Sequence, residues 1–300
     1  MLRTTHTSSV TEDQIDHLGH MNVRFYLAHA YTGTRAMLEA LPGWAGPHRV
    51  HDFYTRHHRE QLLGSPLVVR SAILGADADG VRLHHELANA DTGELAATFV
   101  HVVLPLGEDG EPAHLPDELL AVANAEAMPA PDYAATRTIS LDVDLLEEPP
   151  SLEVLQERDL AMRKERLVPA EECDELGRYR VELAPMLSWG GEPVEGQQEE
   201  LLYTLDDDVV MGWAVMESRW QFGRLPRLGD RIQSYAATVA VHDKVIHRVH
   251  WAFDLDRRDL VLAYESVSLA FDTGARRPIA IPPRYRARQL EIVQPDLAPR

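Results

Sequence analysis

The 300-residue chain has one cysteine, Cys173, so no internal disulfide can form. Lysine is almost as scarce. Lys164 and Lys244 are the only two, which leaves a Schiff-base or lysine-nucleophile mechanism almost without candidates. No apolar run approaches the roughly 18–20 residues that a membrane span requires, so no membrane partner is expected. The opening residues MLRTTHT lack the apolar stretch of a secretory leader. With the lone cysteine, this predicts a cytoplasmic location. Positive charge is also short: 29 Lys and Arg face 48 Asp and Glu, a formal net charge of −19. Phosphate-backbone binding needs a concentrated basic surface, so nucleic acid is excluded as an expected partner.

What is present falls into two parts. Residues 1–150 hold 9 Arg, no Lys and 22 acids, hence −13, and residues 151–300 carry the remaining −6. The chain also repeats itself. VTEDQIDHLGHMNVRF at 10–25 aligns with VPAEECDELGRYRVEL at 168–183, pairing Asp16 with Asp174, Leu18 with Leu176 and Gly19 with Gly177 at an offset of 158. An offset of 165 pairs Leu63-Gly64 with Leu228-Gly229 and His85 with His250. An offset of 166 pairs Pro112 with Pro278. The order is kept and the offset drifts slowly, as loop insertions in a duplicated domain would cause.

Each half has one grammar. An opening strand leads into the turn Asp16-His17-Leu18-Gly19-His20, and a helix is predicted from Asn22 to Leu41. Val23, Leu27, Ala30, Thr34, Met37, Leu38 and Leu41 recur at helical spacing, Asn22 suits an N-cap, and Pro42-Gly43 ends the run. Strands are predicted at 66–76, 80–89 and 94–104, and again at 231–242, 244–254 and 260–271. The helix of the second half is expected to be poorer, because Pro185, Gly190, Gly191 and Pro193 interrupt it. The domains are placed at 1–118 and 159–300, with 119–158 as linker.

Asp16, Gly19, His20, Met21 and Asn22, with Tyr26 four residues on, form an Asp-x-x-Gly-His-Met-Asn motif. Farther along stand Glu60-x-x-x-Gly64, His85 and Thr92-Gly93-Glu94-Leu95. This pattern resembles the hotdog-fold acyl-CoA thioesterases of the 4-hydroxybenzoyl-CoA thioesterase type over about residues 5–118, with a weaker copy over about 160–290. The resemblance implies an α+β fold of two tandem hotdog domains, each a long helix wrapped by an antiparallel sheet, together forming an intrachain pseudo-dimer. It implies hydrolysis of an acyl thioester, with acyl-CoA as the small-molecule substrate, no cofactor and no metal. Asp16 is then nucleophile or general base, and backbone amides at the start of the helix polarise the thioester carbonyl. Gly19, His20 and Asn22 complete the expected catalytic set. Met21, Tyr26, Glu60, Arg56 and Arg59 are the expected substrate contacts, and a homodimer of double-hotdog chains is a further expectation.

The chemistry suits the residues. A helix start offers unpaired N–H groups and the positive end of a dipole for a developing oxyanion. Glycine lets the backbone come close to a carbonyl. Plainer readings stand beside these. An Asp before a Gly is often a turn residue, Asn22 can simply cap the helix, and His20 can be a packed turn histidine. Glu60 can bond its own loop, and the basic island His48–Arg59 can be a solvated strand. Asp174 is expected to be structural, since Arg178-Tyr179-Arg180 replaces His-Met-Asn. Cys173, paired with Ile15, reads as a small buried hydrophobe. Trp213, Trp220 and Trp251 read as core. His51, His57, His58, His84 and His85 do not complete a zinc set. A hydratase or dehydratase on the same fold, or a non-catalytic acyl-CoA-binding module, are the alternative functions.

Overall fold

The computed structural model describes residues 1–107, 110–195, 202–205 and 209–299. The chain divides into two compact units, Met1–Thr136 and Arg137–Arg300. The first contains β1 (Arg3–Ser9), α1 (Val23–Glu39), β2 (His48–His57), β3 (Pro66–Ala76), β4 (Val81–Asn89), β5 (Leu95–Pro105) and α2 (Asp117–Glu126). Its strands form an antiparallel sheet in the order β1-β3-β4-β5-β2.

Helix α1 forms where the apolar spacing predicted it. Tyr26, Leu27, Ala30, Gly33, Thr34, Met37 and Leu38 make one buried face. Asn22 caps it, its side-chain oxygen accepting the Arg24 N–H at 3.1 Å. Met21, Tyr26 and Ala30 join Leu67, Val69, Leu87, Ala97 and Phe99 in one apolar cluster. Gly33 sets how closely the helix approaches: a Cβ there would lie 2.9 Å from the Val69 side chain and 3.1 Å from the Thr5 hydroxyl.

Beneath α1 the core is not purely apolar. A chain of contacts runs from Thr5 Oγ1 to Ser71 Oγ at 2.7 Å and on to His85 Nδ1 at 2.6 Å. From His85 Nε2 it reaches Thr34 Oγ1 at 3.0 Å, and that hydroxyl also meets His101 Nδ1 at 2.8 Å. Each link needs one proton. The polarity that satisfies most of them sends hydrogens from Thr5 to Ser71, from Ser71 to His85, and from both imidazoles to Thr34.

The stretch 119–158, read from sequence as linker, is divided between the units and bonded to each. In the first unit the Ala76 N–H donates to Asn124 Oδ1 of α2 at 2.9 Å, and the Met128 N–H to Ile73 O at 2.9 Å. The Tyr133 hydroxyl donates to the Glu86 carboxylate. Arg56 donates to the Tyr133 and Ala135 carbonyls at 3.1 and 2.7 Å. This cover explains why His84, Glu86 and Ala88 are buried as well as the alternate residues Leu83, His85 and Leu87. Strict period-2 polarity is lost because both faces of β4 are covered.

The second unit contains α3 (Leu152–Glu157), β6 (Arg166–Leu167), α4 (Ala184–Trp189), β7 (Leu202–Thr204), β8 (Val210–Phe222), β9 (Arg231–Val241), β10 (Val245–Asp254), β11 (Asp259–Asp272), β12 (Arg277–Pro278) and α5 (Pro283–Ile292). Its sheet runs β6-β9-β10-β11-β8, with β7 on β8 and β12 on β11. With β7 and β12 left out of the count, this is the strand order of the first. Where the first unit has the seventeen-residue α1, the second has only the six-residue α4, ended at Gly190. Residues 137–145 bond to β8: the Glu217 carboxylate accepts the N–H groups of Arg137, Thr138 and Ile139 at 2.9–3.0 Å, and Gln221 accepts that of Leu145 at 2.8 Å. Trp220 stacks on Tyr264 at 3.6 Å and Trp251 lies in the core with Tyr235 and Phe253, while Trp213 is half-buried. Among the described residues no helix is long and apolar enough to cross a membrane.

The buried imidazoles make stability pH-dependent. Burial lowers His85 well below its ordinary value and holds His101 and His250 down to about 3. These groups are neutral when folded and take up protons when unfolded below about 6.5. Their contribution is therefore complete above that pH and is lost as pH falls toward the folded values. Each can remove up to about 1.4 kcal/mol per pH unit in that window. The urea midpoint should be flat above pH 6.5 and fall below it. His101→Gln should make the decline shallower, and an unchanged slope in that variant would contradict the assignment.

Candidate active site

The site begins with a backbone loop. The Asp16 N–H donates to His20 O at 2.9 Å and the Gly19 N–H to Asp16 O at 3.0 Å, closing residues 16–20 between the bridged Ile15 and Met21. Asp16 Oδ1 accepts the Leu18 N–H at 2.8 Å. Gly19 has φ +82°, and a Cβ there would meet nothing within 4 Å. Glycine suits this position for its left-handed backbone.

This loop delivers two side chains to one place. His20 Nδ1 lies 3.3 Å from Asp16 Oδ2, and His20 Nε2 lies 3.5 Å from Glu60 Oε1. The Asp16 and His20 side chains are 13% and 14% exposed and that of Glu60 is 37%, so the cluster is sheltered but reachable.

The loop after β2 is pinned to the start of α1 on both sides of Glu60. The Tyr26 hydroxyl donates to Arg59 O at 3.2 Å and accepts the Gln61 N–H at 3.1 Å. The Met21 N–H donates to Gln61 O at 2.7 Å. Burial pushes the Tyr26 hydroxyl above its ordinary range, so it keeps its proton for this bridge. Tyr26, expected at the substrate, thus holds backbone, and Met21 is 1% exposed in the core. Arg56 serves the two carbonyls already named, and Arg59 Nε pairs with Glu94 Oε1 at 2.9 Å on an exposed surface. The structure therefore brings together Asp16, Gly19, His20 and Glu60, with Asn22 capping the adjacent helix. Met21, Tyr26, Arg56 and Arg59 are placed in supporting contacts. Gln61 was not singled out in the sequence, because its part is played largely by its backbone.

The second unit rebuilds the loop bond for bond. The Asp174 N–H donates to Arg178 O at 2.8 Å, the Gly177 N–H to Asp174 O at 2.9 Å, and the Tyr179 N–H to Pro226 O at 2.9 Å. The Gly229 N–H donates to Val168 O at 2.9 Å, as the Gly64 N–H does to Val10 O. The side chains differ. Arg178 stands where the first unit has His20, and its Nε donates to Asp174 Oδ2 at 2.9 Å. Burial alone would raise the Asp174 carboxyl. The Arg178 N–H, guanidinium and charge outweigh it and hold the group below the usual carboxylate range. Leu225, one residue before Pro226, stands where the first unit has Glu60 before Gln61. Burial, then the Asp174 and Glu172 charges, push the Cys173 thiol up, which does not favour a thiolate nucleophile. Among the described residues no three His, Cys, Asp or Glu side chains are grouped to hold a metal.

Tyr26→Phe should remove both hydroxyl bonds around Glu60 and leave the buried Gln61 N–H without that partner. A loss of about 1–3 kcal/mol in urea unfolding is expected, and a neutral variant would show that the bridge is not needed.

Known proteins resemble this chain over part or nearly all of its length. Residues 10–122 match the model of the Thioesterase-like superfamily. Over 143 residues the chain is 31% identical to an L-carnitine dehydrogenase/betainyl-CoA thioesterase of Agrobacterium fabrum, a match covering 44% of this chain and 29% of that protein. The chain thus spans less than a third of that relative's length. Two solved structures cover nearly all of it at 10% identity. A 12:0-ACP thioesterase from Umbellularia californica has a TM-score of 0.63 over 90% of this chain and 94% of its own. An acyl-ACP thioesterase from Bacteroides thetaiotaomicron has 0.56 over 89% and 97%. At that identity the likeness shows the fold. Residues 10–122 are thus similar to the Thioesterase-like superfamily, and the chain shares the fold of these thioesterase structures.

Proposed function

We propose that the protein hydrolyses an acyl thioester, with acyl-CoA as substrate and Asp16 as the reacting carboxylate. The observation that carries this reading is the Asp16 loop itself: a sheltered carboxylate beside His20, at the mouth of a capped helix, inside the residues that match the superfamily. The curated relative with 31% identity has betainyl-CoA thioesterase in its name, which supports coenzyme A as the carrier.

Two routes fit the carboxylate. As general base, Asp16 takes a proton from water while the oxygen of that water adds to the thioester carbonyl carbon. As nucleophile, it adds to that carbon itself, and water then opens the resulting anhydride. In both, the C–S bond breaks, the sulfur leaves as thiolate and takes a proton, and the free acid is released. The carbonyl oxygen gains charge as the tetrahedral species forms. Backbone N–H groups at the start of α1 can stabilise it, aided by the helix dipole.

The duplicated strand order and loop bonds support descent of both units from one hotdog domain. The side chains support one working site per chain: Asp174 is bound by Arg178, which keeps its protons, where Asp16 faces an imidazole that can give one up. Asp16→Asn should cut kcat/KM by about 100-fold or more, the range for loss of a base or nucleophile. Asp174→Asn should keep most of the activity. Comparable losses from both would contradict a single site, and full activity in Asp16→Asn would overturn the assignment.

A further inference from the structure

The contacts of His20 impose a proton count. A neutral imidazole has one N–H and one lone pair. With the proton on Nδ1, Asp16 is satisfied and the Nε2 lone pair faces Glu60 at 3.5 Å. With the proton on Nε2, the repulsion is moved to Asp16. Both contacts are attractive together when both ring nitrogens carry hydrogen, and the ring then lies between two carboxylates.

Three further observations make Glu60 part of this arrangement. Its backbone is fixed from both sides, through Arg59 O and the Gln61 N–H on one tyrosine hydroxyl, and through Gln61 O on the Met21 N–H. Its own carbonyl accepts from Gln61 Nε2 at 2.9 Å, and Gln61 Oε1 accepts from Asn89 Nδ2 at 3.3 Å. In the second unit, where the Asp174 loop keeps the backbone bonds of the Asp16 loop, His20 and Glu60 are both replaced, by Arg178 and Leu225, while the aspartate stays. Arginine carries its charge without help, so a second carboxylate has nothing to do there.

We propose that Glu60 is a positioning residue for the Asp16 site: it keeps the second proton on His20, so that the ring stays charged and ion-paired with Asp16. This rests on the hydrolase reading for its catalytic consequence, and on geometry alone for the proton. The consequence is specific. A charged His20 orients Asp16 and holds a proton for the departing thiolate sulfur. After the C–S bond breaks, the ring gives that proton up and regains one from Asp16, which took its own from water. Glu60 touches neither substrate nor water in this scheme. The other groups around the ring do not compete for the role. The Tyr26 hydroxyl is tied to backbone, His57 packs edge-on against the Tyr26 ring at 5.1 Å, and Arg59 is paired with Glu94.

The test compares wild type, Glu60→Gln and Asp16→Asn by nitrogen NMR of His20 across pH and by steady-state kinetics on acyl-CoA. The expected NMR result is that His20 in wild type keeps both ring protons to a higher pH than in Glu60→Gln. The expected kinetic result is a kcat lowered by about 10-fold or more in Glu60→Gln, with KM within about twofold, and activity lost at lower pH than in wild type. Identical His20 titration in wild type and Glu60→Gln would overturn the proposal, whether or not the protein turns over. A raised KM with unchanged kcat would also overturn it, by making Glu60 a substrate contact. Failure of the hydrolase reading is separable: Asp16→Asn would then be as active as wild type while the NMR difference persists.

Discussion

The reach of the Asp16 carboxylate is set by a loop only five residues long, and that loop exists because Gly19 accepts a left-handed backbone. Its two internal bonds, from the Asp16 and Gly19 amides, turn the chain sharply enough for His20 to come back beside the aspartate it follows by four residues. The same turn delivers Met21 to the core and Asn22 to the helix cap, so α1 starts where the loop ends. Any residue with a Cβ at position 19 would be strained there, although space is available. The helix, the cap and the carboxylate–imidazole pair all follow from this one conformation.

The two units show what is scaffold and what is chemistry. Equivalent amides and carbonyls recur around Asp174, with Gly177 also at positive φ, yet the side chains nearby have changed. An arginine now binds the carboxylate directly, and the long helix has shrunk to a single short one. A backbone pattern can outlast the side chains around it because it is held by groups that every residue except proline possesses. The imidazole and the second carboxylate enjoy no such protection.

Much of this was legible in the sequence because it rests on local pattern. The helical spacing from Val23 onward, the Asn22 cap and the meander strands all depend on neighbours along the chain. The shortened second helix followed from Pro185 and Gly190. Other features depend on long-range placement. Nothing local says that Glu60 would meet His20 forty residues away, or that Tyr26 would spend its hydroxyl on the loop carrying Glu60. The stretch 119–158 looked like a linker because it is rich in Pro and polar residues, yet Asn124, Tyr133 and Arg137–Ile139 bind the sheets through hydrogen bonds. Composition reports mean hydropathy and cannot register such specific bonding. His85 was visible as a shared position of both halves, but its place in a buried chain with Ser71, Thr34 and His101 was not.

A site that cleaves thioesters releases free thiol, and that release is the decisive measurement. Purified protein would be incubated with a panel of acyl-CoAs in the presence of a thiol-detecting reagent, and the acyl products followed in parallel. Free coenzyme A and the corresponding acid should appear in equal amounts for at least one member of the panel. An acyl chain altered without thiol release, or binding without any turnover across the panel, would contradict thioester cleavage at this site.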